Sequence, residues 1–391
     1  MTVGEAARGL PATSVARRAL LPLGALAGLA AIVAGLVFLA DKNGAGNLAA
    51  VFYDLLGNPN GAAALRAGAG DRFVAKLIMA AVAILVGTVG VWFLYATVGT
   101  LVGEMRPARR ERIEPWIFVT PALAMLVVFL LYPVVSTTWT ALTEDKGALS
   151  NFSFALTERT MINALRNNAI WLVVGTGGSV ILGLLIAGLV DRVRREALAK
   201  TFIFLPLAIS LVGASVIWGF IYAWRPAGQP QYGLLNAVAT SVGSKPIAWI
   251  QTPGVNTMAL IVVMIWLQTG FAMVVLSAAI KGVSTEIIEA ARLDGASERQ
   301  LFFGIVVPMI KGSIITVTTT IAISVLKIFD IVFVMTGGRF DTDVVANRMF
   351  QELFVFGNFG HSAALAVILF LAVIPIMLVN LRNLRRQGID A

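Results

Sequence analysis

The stretch STEIIEAARLDGASERQLFFGIVVPMIK, residues 284–311, is the most polar helical segment of an otherwise apolar chain. Ser284 can cap a first helix, and Gly295 suits the left-handed residue that ends it. Ser297 and Gln300 have the spacing of a capping box, which opens a second helix. The stretch therefore predicts two short helices joined at a glycine, lying between two apolar spans. It is too short to bury a core of its own and is expected to dock on another surface.

The composition of the whole chain is that of an integral membrane protein. Hydrophobic residues make up 58% and charged residues 13% of the sequence, and the mean hydropathy is +0.86. Hydrocarbon cannot satisfy open backbone groups, so the predicted fold class is all-α, a helical bundle surrounded by membrane lipid. The net charge of +9 is typical of Lys and Arg retained on the cytoplasmic side and does not predict a nucleic-acid partner.

Residue counts and motifs exclude several kinds of chemistry. The chain has no cysteine and a single histidine, His361, which excludes disulfides, thiol catalysis and histidine metal clusters within it. A phosphate-binding P-loop needs Gly-Lys followed by Ser or Thr, and no lysine follows a glycine. We therefore expect a protein that is not an enzyme, with no metal and no cofactor of its own. A membrane-embedded enzyme is disfavoured because no catalytic cluster is available.

Eight apolar spans reach the length of about 20 residues that crosses a bilayer core, and each predicts a transmembrane helix. They lie at residues 19–40, 74–103, 116–140, 168–190, 201–224, 256–280, 313–336 and 361–381. The basic start and Ala40-Asp41 leave open a cleaved signal peptide in place of the first span. With the N-terminus inside, most of the 30 Lys and Arg residues fall in inner segments. This predicts cytoplasmic N- and C-termini and a cytosolic 284–311 loop.

The polar loop resembles the EAA loop of binding-protein-dependent ABC importer permeases. The residues that carry this resemblance are Glu289, Ala290, Ala291, Asp294, Gly295, Ile305 and Pro308, with Val307 where the family has leucine. Residues 284–311 are called the EAA loop below. The resemblance implies that the loop docks in a cleft on a separate ATPase subunit, which binds ATP and Mg. The alternative is an amphipathic loop that only covers the bilayer face.

A second segment, Lys-Ile-Phe-Asp-Ile-Val-Phe-Val-Met-Thr-Gly-Gly at 327–338, resembles the carbohydrate-uptake branch of these permeases, in particular the larger maltose permease. Arg339 follows the glycines where that branch commonly has proline, which is more similar to alpha-glucoside permeases. The resemblance implies a six-helix, type I ABC importer permease core at 115–391. Residues 1–114 then hold a cytosolic N-terminus, two accessory helices and a linker.

The resemblance also implies partners and a cellular place. One such chain is expected to pair with a second homologous permease, two copies of the ATPase and an extracytoplasmic sugar-binding protein. The complex would lie in a bacterial or archaeal inner membrane and import an oligosaccharide or alpha-glucoside.

Alignment on the EAA loop implies that Leu267, Gln268 and Phe271 lie where the larger maltose permease lines its sugar pocket. The charged face of the span 313–336 is expected to line the same central path, with Ser324, Lys327, Ile328 and Asp330. An amide can read sugar hydroxyls, but Gln268 can equally hydrogen-bond between helices, and Phe271 alone is more often packing. Lys327 and Asp330, three residues apart, are expected on one helix face, either in the path or as a buried pair. A secondary, ion-coupled transporter that uses them as a proton relay is the alternative function, and it leaves the EAA loop unexplained. His361 is interpreted as a polar boundary at the outer face.

Overall fold

The computed structural model describes residues 125–144, 147–191 and 193–389, together with the isolated positions 88, 111, 115, 116, 119, 120, 122 and 123. Internal contacts divide the chain into two compact units, Met1–Tyr132 and Pro133–Ala391. The predicted span 19–40, all of 74–103 except residue 88, and the following linker except residues 111 and 115 lie outside the described residues. The predicted domain boundary at residue 114 stays a prediction.

Every regular element in the described part of the chain is helical. The α-helices in chain order are α1 (Tyr132–Thr143), α2 (Ala148–Thr157), α3 (Arg159–Ile170), α4 (Thr176–Val190), α5 (Glu196–Phe204), α6 (Leu211–Ile221), α7 (Leu234–Ser241), α8 (Val255–Lys281), α9 (Thr285–Leu293), α10 (Glu298–Leu301), α11 (Val307–Met309), α12 (Lys311–Leu326), α13 (Asp330–Met335), α14 (Val345–Phe354) and α15 (Phe359–Ile389). The π-helical turns Val127–Leu131, Trp171–Gly175 and Phe302–Val306 and the 3₁₀ turn Leu205–Ala208 join or precede them.

Three continuous helical stretches of the described residues are long and apolar enough to cross a membrane. They are Arg159–Val190, Val255–Lys281 and Phe359–Asn383, and counting each bent helix pair as one span raises the number to six. The predicted spans 168–190, 256–280 and 361–381 fall on these stretches. The prediction of eight transmembrane helices is not confirmed.

The predicted span 201–224 is not one straight helix. The segment Glu196–Ala208 meets Leu211–Ile221 at 102°, because Pro206 lies in a 3₁₀ turn and Ile209 is extended. Ser210 then caps α6, with its side chain accepting the Gly213 N–H at 3.0 Å. The sequence is apolar on both sides of the bend, so the bend is set by the local backbone conformation and not by a change in hydropathy.

The predicted span 313–336 is also interrupted. Helix α12 ends at Leu326, and α13 begins only at Asp330. The Asn168 side chain donates to the Leu326 carbonyl at the break, at 3.2 Å, and accepts the Val345 N–H at the start of α14, at 2.8 Å. Ile328 turns inward and is 1% exposed. The prediction that Lys327 and Asp330 share one helix face is therefore wrong.

Helix α8 is the centre of the second unit, and glycines let its neighbours approach it closely. A Cβ at Gly183 in α4 would lie 2.4 Å from the Cβ of Ala272, and one at Gly270 in α8 would lie 2.5 Å from the Ile203 carbonyl oxygen. Leu260, Met264, Met273 and Leu276 of α8 are fully or almost fully buried and belong to the main hydrophobic core. Helices α4, α5 and α8 therefore pack as one close layer.

Candidate functional site

The first half of the EAA loop ends in a Schellman motif. Helix α9 stops at Leu293, and Gly295 adopts φ +83°. The Gly295 N–H donates to the Arg292 carbonyl at 3.1 Å, and the Ala296 N–H donates to the Ala291 carbonyl at 3.0 Å. These are the two hydrogen bonds that close this kind of helix end. The predicted left-handed stop at Gly295 is confirmed.

The second half of the EAA loop begins with the predicted capping box. The Ser297 side chain accepts the Gln300 N–H, and the Gln300 side chain accepts the Ser297 N–H at 2.9 Å. Arg292 of α9 pairs with Glu298 of α10 at 3.1 Å. Ser284 does stand at the N-cap of α9, but its side chain makes no capping hydrogen bond, so the predicted Ser284 cap is wrong in that respect.

The residues predicted to couple to an ATPase divide between an outer and an inner face. Glu289, Ala290, Asp294, Gly295 and Pro308 are exposed, and Leu293 beside them is 89% exposed. Ala291 is 9% exposed and packs with Val283, Leu301, Val306 and Ile310 in a small core, against which half-buried Ile288 and Ile305 also pack. Ala291, one of the residues that carry the resemblance, therefore stabilises the loop from within together with Ile288 and does not present its side chain on the outer face.

The EAA loop is attached to the membrane helices on both sides. Val283, in the loop's entry, is 8% exposed and lies in the same small core as Ile310, where the chain leaves the loop. The segments Glu298–Met309 and Lys311–Leu326 meet at 71° just after Pro308. The loop is thus a folded knob whose two ends continue into α8 and α12.

The residues predicted to line a substrate path do not all face one cavity. Leu267 and Ile328 are 3% and 1% exposed and belong to the hydrophobic core, so neither can touch a substrate in this conformation. Phe271 is half-buried and packs against the same core. Ser324 and Lys327 are exposed, and Asp330 is half-buried at the start of α13.

The polar path residues Gln268, Lys327 and Asp330 make no side-chain hydrogen bond or ion pair in the described part of the chain. The ion pairs recorded there do not join Lys327 to Asp330, and no hydrogen bond is made by the half-buried Gln268 amide. The interhelical hydrogen bond that was the simpler explanation for Gln268 is therefore not present within these residues. Its amide remains available to a ligand or to another chain.

A cavity of about 550 Å³ lies against Lys327 between α12, α14 and α15. Its lining residues are Ile323, Lys327, Phe329, Ala346, Met349, Phe350, Ala366, Leu369, Phe370 and Val373. Phe329 stacks on Phe333 with ring centroids 4.9 Å apart and contacts Phe350 at 5.3 Å. The cavity therefore combines aromatic faces with one cation, Lys327, which the sequence had identified.

Sequence reasoning missed a set of asparagines that hold the loop between α13 and α14. Asn167 donates to the carbonyls of Asp341 and Asp343 at 2.7 and 2.8 Å, and Asn256 donates to the Phe340 carbonyl at 2.6 Å. Phe340 and Asp341 have positive φ, 60° and 58°, which non-glycine residues rarely adopt. An asparagine in a helix carries no sign of a backbone partner that is distant in sequence.

His361 is more than the polar boundary that the sequence suggested. Its ring stacks on Phe154 at 3.9 Å, and its Nδ1 atom lies 3.3 Å from a carboxylate oxygen of Glu352. Glu352 is 2% exposed and also pairs with Arg348 at 2.9 Å. Among the described residues, no group of three His, Cys, Asp or Glu side chains is arranged to hold a metal ion.

Comparison with known proteins gives a consistent result. Residues 179–387 match the family described as binding-protein-dependent transport system inner membrane component. The chain is 52% identical over 274 residues to the osmoprotective compounds uptake permease protein GgtC of Synechocystis, covering 69% of this chain and 98% of the relative. It is 49% identical over 281 residues to the alpha-glucoside transport system permease protein AglF of Rhizobium meliloti, covering 71% and 84%.

A solved structure shares the fold. A chain from a bacterial ABC transporter involved in the import of the acidic polysaccharide alginate matches with a TM-score of 0.61 at 18% identity, covering 70% of this chain and 98% of that chain. At this identity the likeness shows the fold alone.

Proposed function

Because the chain belongs to the family of binding-protein-dependent transport system inner membrane components, we propose that it is the permease subunit of an ABC importer for an oligosaccharide or alpha-glucoside. The observation that carries the proposal is the EAA loop, a rigid knob that exposes Glu289, Leu293 and Asp294 and is continuous with two membrane helices. ATP hydrolysis belongs to a separate subunit, which binds ATP and Mg.

The exposed face of α9 is suited to a partner protein. Leu293 is 89% and Ile287 is 41% exposed, so a short helix presents apolar side chains flanked by carboxylates, as in helix-in-groove recognition. The Schellman motif and capping box fix the shape of the knob before it binds, which lowers the entropy cost of docking. Movement of a docked ATPase would then be passed to α8 and α12 through contact.

The substrate path is proposed to involve the unpaired amide of Gln268 and the cavity beside Lys327. Aromatic faces such as Phe329 and Phe350 can pack on the apolar side of a sugar ring, while Lys327 and Gln268 can donate to its hydroxyls. Leu267 and Ile328 would shape the path from behind, since both are buried. The sugar class rests on the alpha-glucoside permease named among the relatives.

The remaining partners follow from the family. The chain is proposed to pair with a second homologous permease, two ATPase copies and an extracytoplasmic sugar-binding protein, in a bacterial or archaeal inner membrane. A structure neighbour was solved with an alginate pentasaccharide-bound periplasmic protein, which supports the last of these partners. The charge distribution supports cytoplasmic termini and a cytosolic EAA loop.

The ion-coupled alternative loses its main support. A proton relay through Lys327 and Asp330 needs the two groups close together, yet the helix ends between them and the described ion pairs do not join them. An ion-coupled transporter also has no use for an exposed coupling knob.

Uptake by the reconstituted complex tests the proposal. In proteoliposomes with the partner permease, ATPase and binding protein, uptake of a labelled alpha-glucoside should require internal ATP and be insensitive to a protonophore. Leu293→Asp should abolish ATPase co-purification and uptake together. Val193→Asp is the matched control, because Val193 is 52% exposed in the turn between α4 and α5, outside the EAA loop, and it should retain both. Uptake driven by a proton gradient without ATP would contradict the proposal.

A further inference from the structure

Five polar side chains meet beside the EAA loop, where α4 and α8 end and α5 begins. The Lys200 ammonium lies 2.6 Å from Asp191 Oδ1 and 2.6 Å from Glu196 Oε1, and it also donates to Ser277 Oγ. Ser277 Oγ donates to the same Asp191 oxygen at 2.7 Å, and Lys281 pairs with Glu196. These five residues are called the Lys200 network. They join the end of α4, the first turns of α5 and the last turns of α8.

The inner half of the Lys200 network is enclosed and the outer half is open to water. Ser277 is 1% exposed, and the side chains of Asp191 and Lys200 are 13% and 20% exposed, whereas that of Lys281 is 53% exposed. Exposed ion pairs contribute little to stability. Asp191 Oδ2 is buried without a hydrogen-bond partner among the described residues, which is costly for a carboxylate. Stability alone therefore does not explain the arrangement.

The Lys200 network lies next to the point where α8 enters the EAA loop and to the helix α4 on which the loop packs. Lys281 is the last residue of α8, directly before the loop's entry. On α4, a Cβ at Gly188 would lie 2.6 Å from the ring of Phe302, so this part of the loop packs directly on α4, whose C-cap residue is Asp191. A displacement of the loop thus reaches α4 and α8, and the network is the polar link from these two helices to α5.

Helix α5 carries any such displacement to a bend. Helix α5 ends at Phe204, four residues beyond Lys200, and is followed by the 3₁₀ turn Leu205–Ala208. The chain then turns by 102° into α6. Bends of this kind absorb a change of angle between two rigid segments. The outer segment α6 packs beside α8 through half-buried Trp218, whose ring lies 5.8 Å from that of Trp266.

We propose that Lys200 is a positioning residue of the coupling step, which locks α5 to the ends of α4 and α8 so that movement of the EAA loop turns α5 about the bend at 205–210. The inference rests on the proposed function, because it assumes an ATPase docked on the loop. Without the ammonium, the loop would still bind the ATPase through α9, but its movement would reach α5 only through loose packing.

The test measures sugar transported per ATP hydrolysed in the reconstituted complex. Lys200→Gln should lower this ratio about fivefold or more, which is the size of a typical coupling between sites, while the amount of bound ATPase stays unchanged. Lys281→Gln breaks only the exposed link to Glu196 and should lower the ratio about twofold. Lys200→Arg keeps the charge and should restore most of the ratio.

Arg194→Gln is the matched control, because Arg194 is exposed in the turn between α4 and α5 and has no ion pair among the described residues. Its ratio should equal that of the unaltered complex. An unchanged ratio in Lys200→Gln would overturn the proposal, whatever the ratio in Lys281→Gln. So would a loss of uptake in strict proportion to lost ATPase, which indicates a purely structural role. An unaltered complex that binds no ATPase would contradict the proposed function itself.

Discussion

The ring of Phe302 in the EAA loop occupies the space that a side chain at Gly188 would need. A Cβ at position 188 would lie 2.6 Å from one ring carbon and 2.9 Å from another. The Phe302 ring therefore packs directly against the backbone of α4 at Gly188. This contact, together with the continuous chain from α8, explains how a polar loop that cannot fold alone is held in one position.

Gly188→Ala should move Phe302 and loosen the EAA loop. Overpacking of this kind costs about 1–3 kcal/mol when the neighbour is a rigid ring. We expect a lower unfolding temperature in detergent and weaker co-purification of the ATPase. Gly177→Ala in the same helix is the control, since a Cβ there meets no atom within 4 Å and alanine favours the helix. Equal effects of the two substitutions would contradict the role of the Phe302 contact.

Gly295→Ala should change the shape of the knob through backbone strain alone. A Cβ at Gly295 meets nothing within 4 Å, but φ is +83°, and an L-residue there costs about 1–2 kcal/mol. We expect ATPase capture to fall severalfold, measured by co-purification at matched permease amounts. Gly304→Ala, in open space within the same loop and without a positive φ, should leave capture unchanged. Full capture by Gly295→Ala would show that the Schellman motif is not needed for docking.

Gln268→Ala should weaken uptake without disturbing assembly. Its amide makes no hydrogen bond within the described residues, so its removal leaves no buried group unpaired. Loss of one hydrogen bond to a sugar corresponds to a twofold to tenfold rise, roughly, in the half-saturating concentration of binding-protein-loaded sugar. Leu267→Ala is the contrast, because Leu267 is 3% exposed and its loss should cost about 2–5 kcal/mol of stability. Loss of assembly in Gln268→Ala would instead favour an interhelical or intersubunit bond.

Local signals in the sequence predicted local structure well. The glycine stop at Gly295 and the capping box at Ser297 depend on residues within a few positions of each other, so their spacing is sufficient evidence. Hydropathy likewise identified the stretches around 168–190, 256–280 and 361–381.

Features that depend on distant partners could not be predicted in this way. The break after Leu326 lies inside a predicted span, and the Leu326 carbonyl that it releases accepts a hydrogen bond from Asn168, far away in sequence. Around Lys200 the sequence indicates only a pair with Glu196 four residues earlier, because its other two partners, Asp191 and Ser277, belong to the ends of α4 and α8. For the same reason the predicted path residues could be assigned to helices but not to an inner or outer face.

Asn167→Ala should release the loop between α13 and α14. Asn167 donates to two carbonyls of this loop, and the strained residues Phe340 and Asp341 depend on such contacts. We expect a loss of about 1–3 kcal/mol and faster tryptic cleavage after the exposed Arg339. Asn163→Ala is the control on the same helix, because Asn163 is half-buried and makes one long, solvent-exposed hydrogen bond, to Asp341 Oδ1 at 3.4 Å. Unchanged cleavage in Asn167→Ala would contradict the clamp.

Asp343→Asn should change how stability depends on pH. Burial raises the pKa of the Asp343 carboxyl, although hydrogen bonds from Asn347 and the Val344 N–H and the charge of Arg348 oppose this. The folded chain therefore keeps a proton that the unfolded chain has lost, so this stability contribution is complete at low pH and is lost as pH rises through the raised pKa. Asparagine stays neutral and can still accept both hydrogen bonds. The variant should accordingly gain unfolding temperature relative to the unaltered protein as pH rises above about 4, the ordinary pKa of an aspartate. Asp341→Asn, which removes an exposed carboxylate from the same loop, is the control, and the same gain in both variants would contradict the effect of burial.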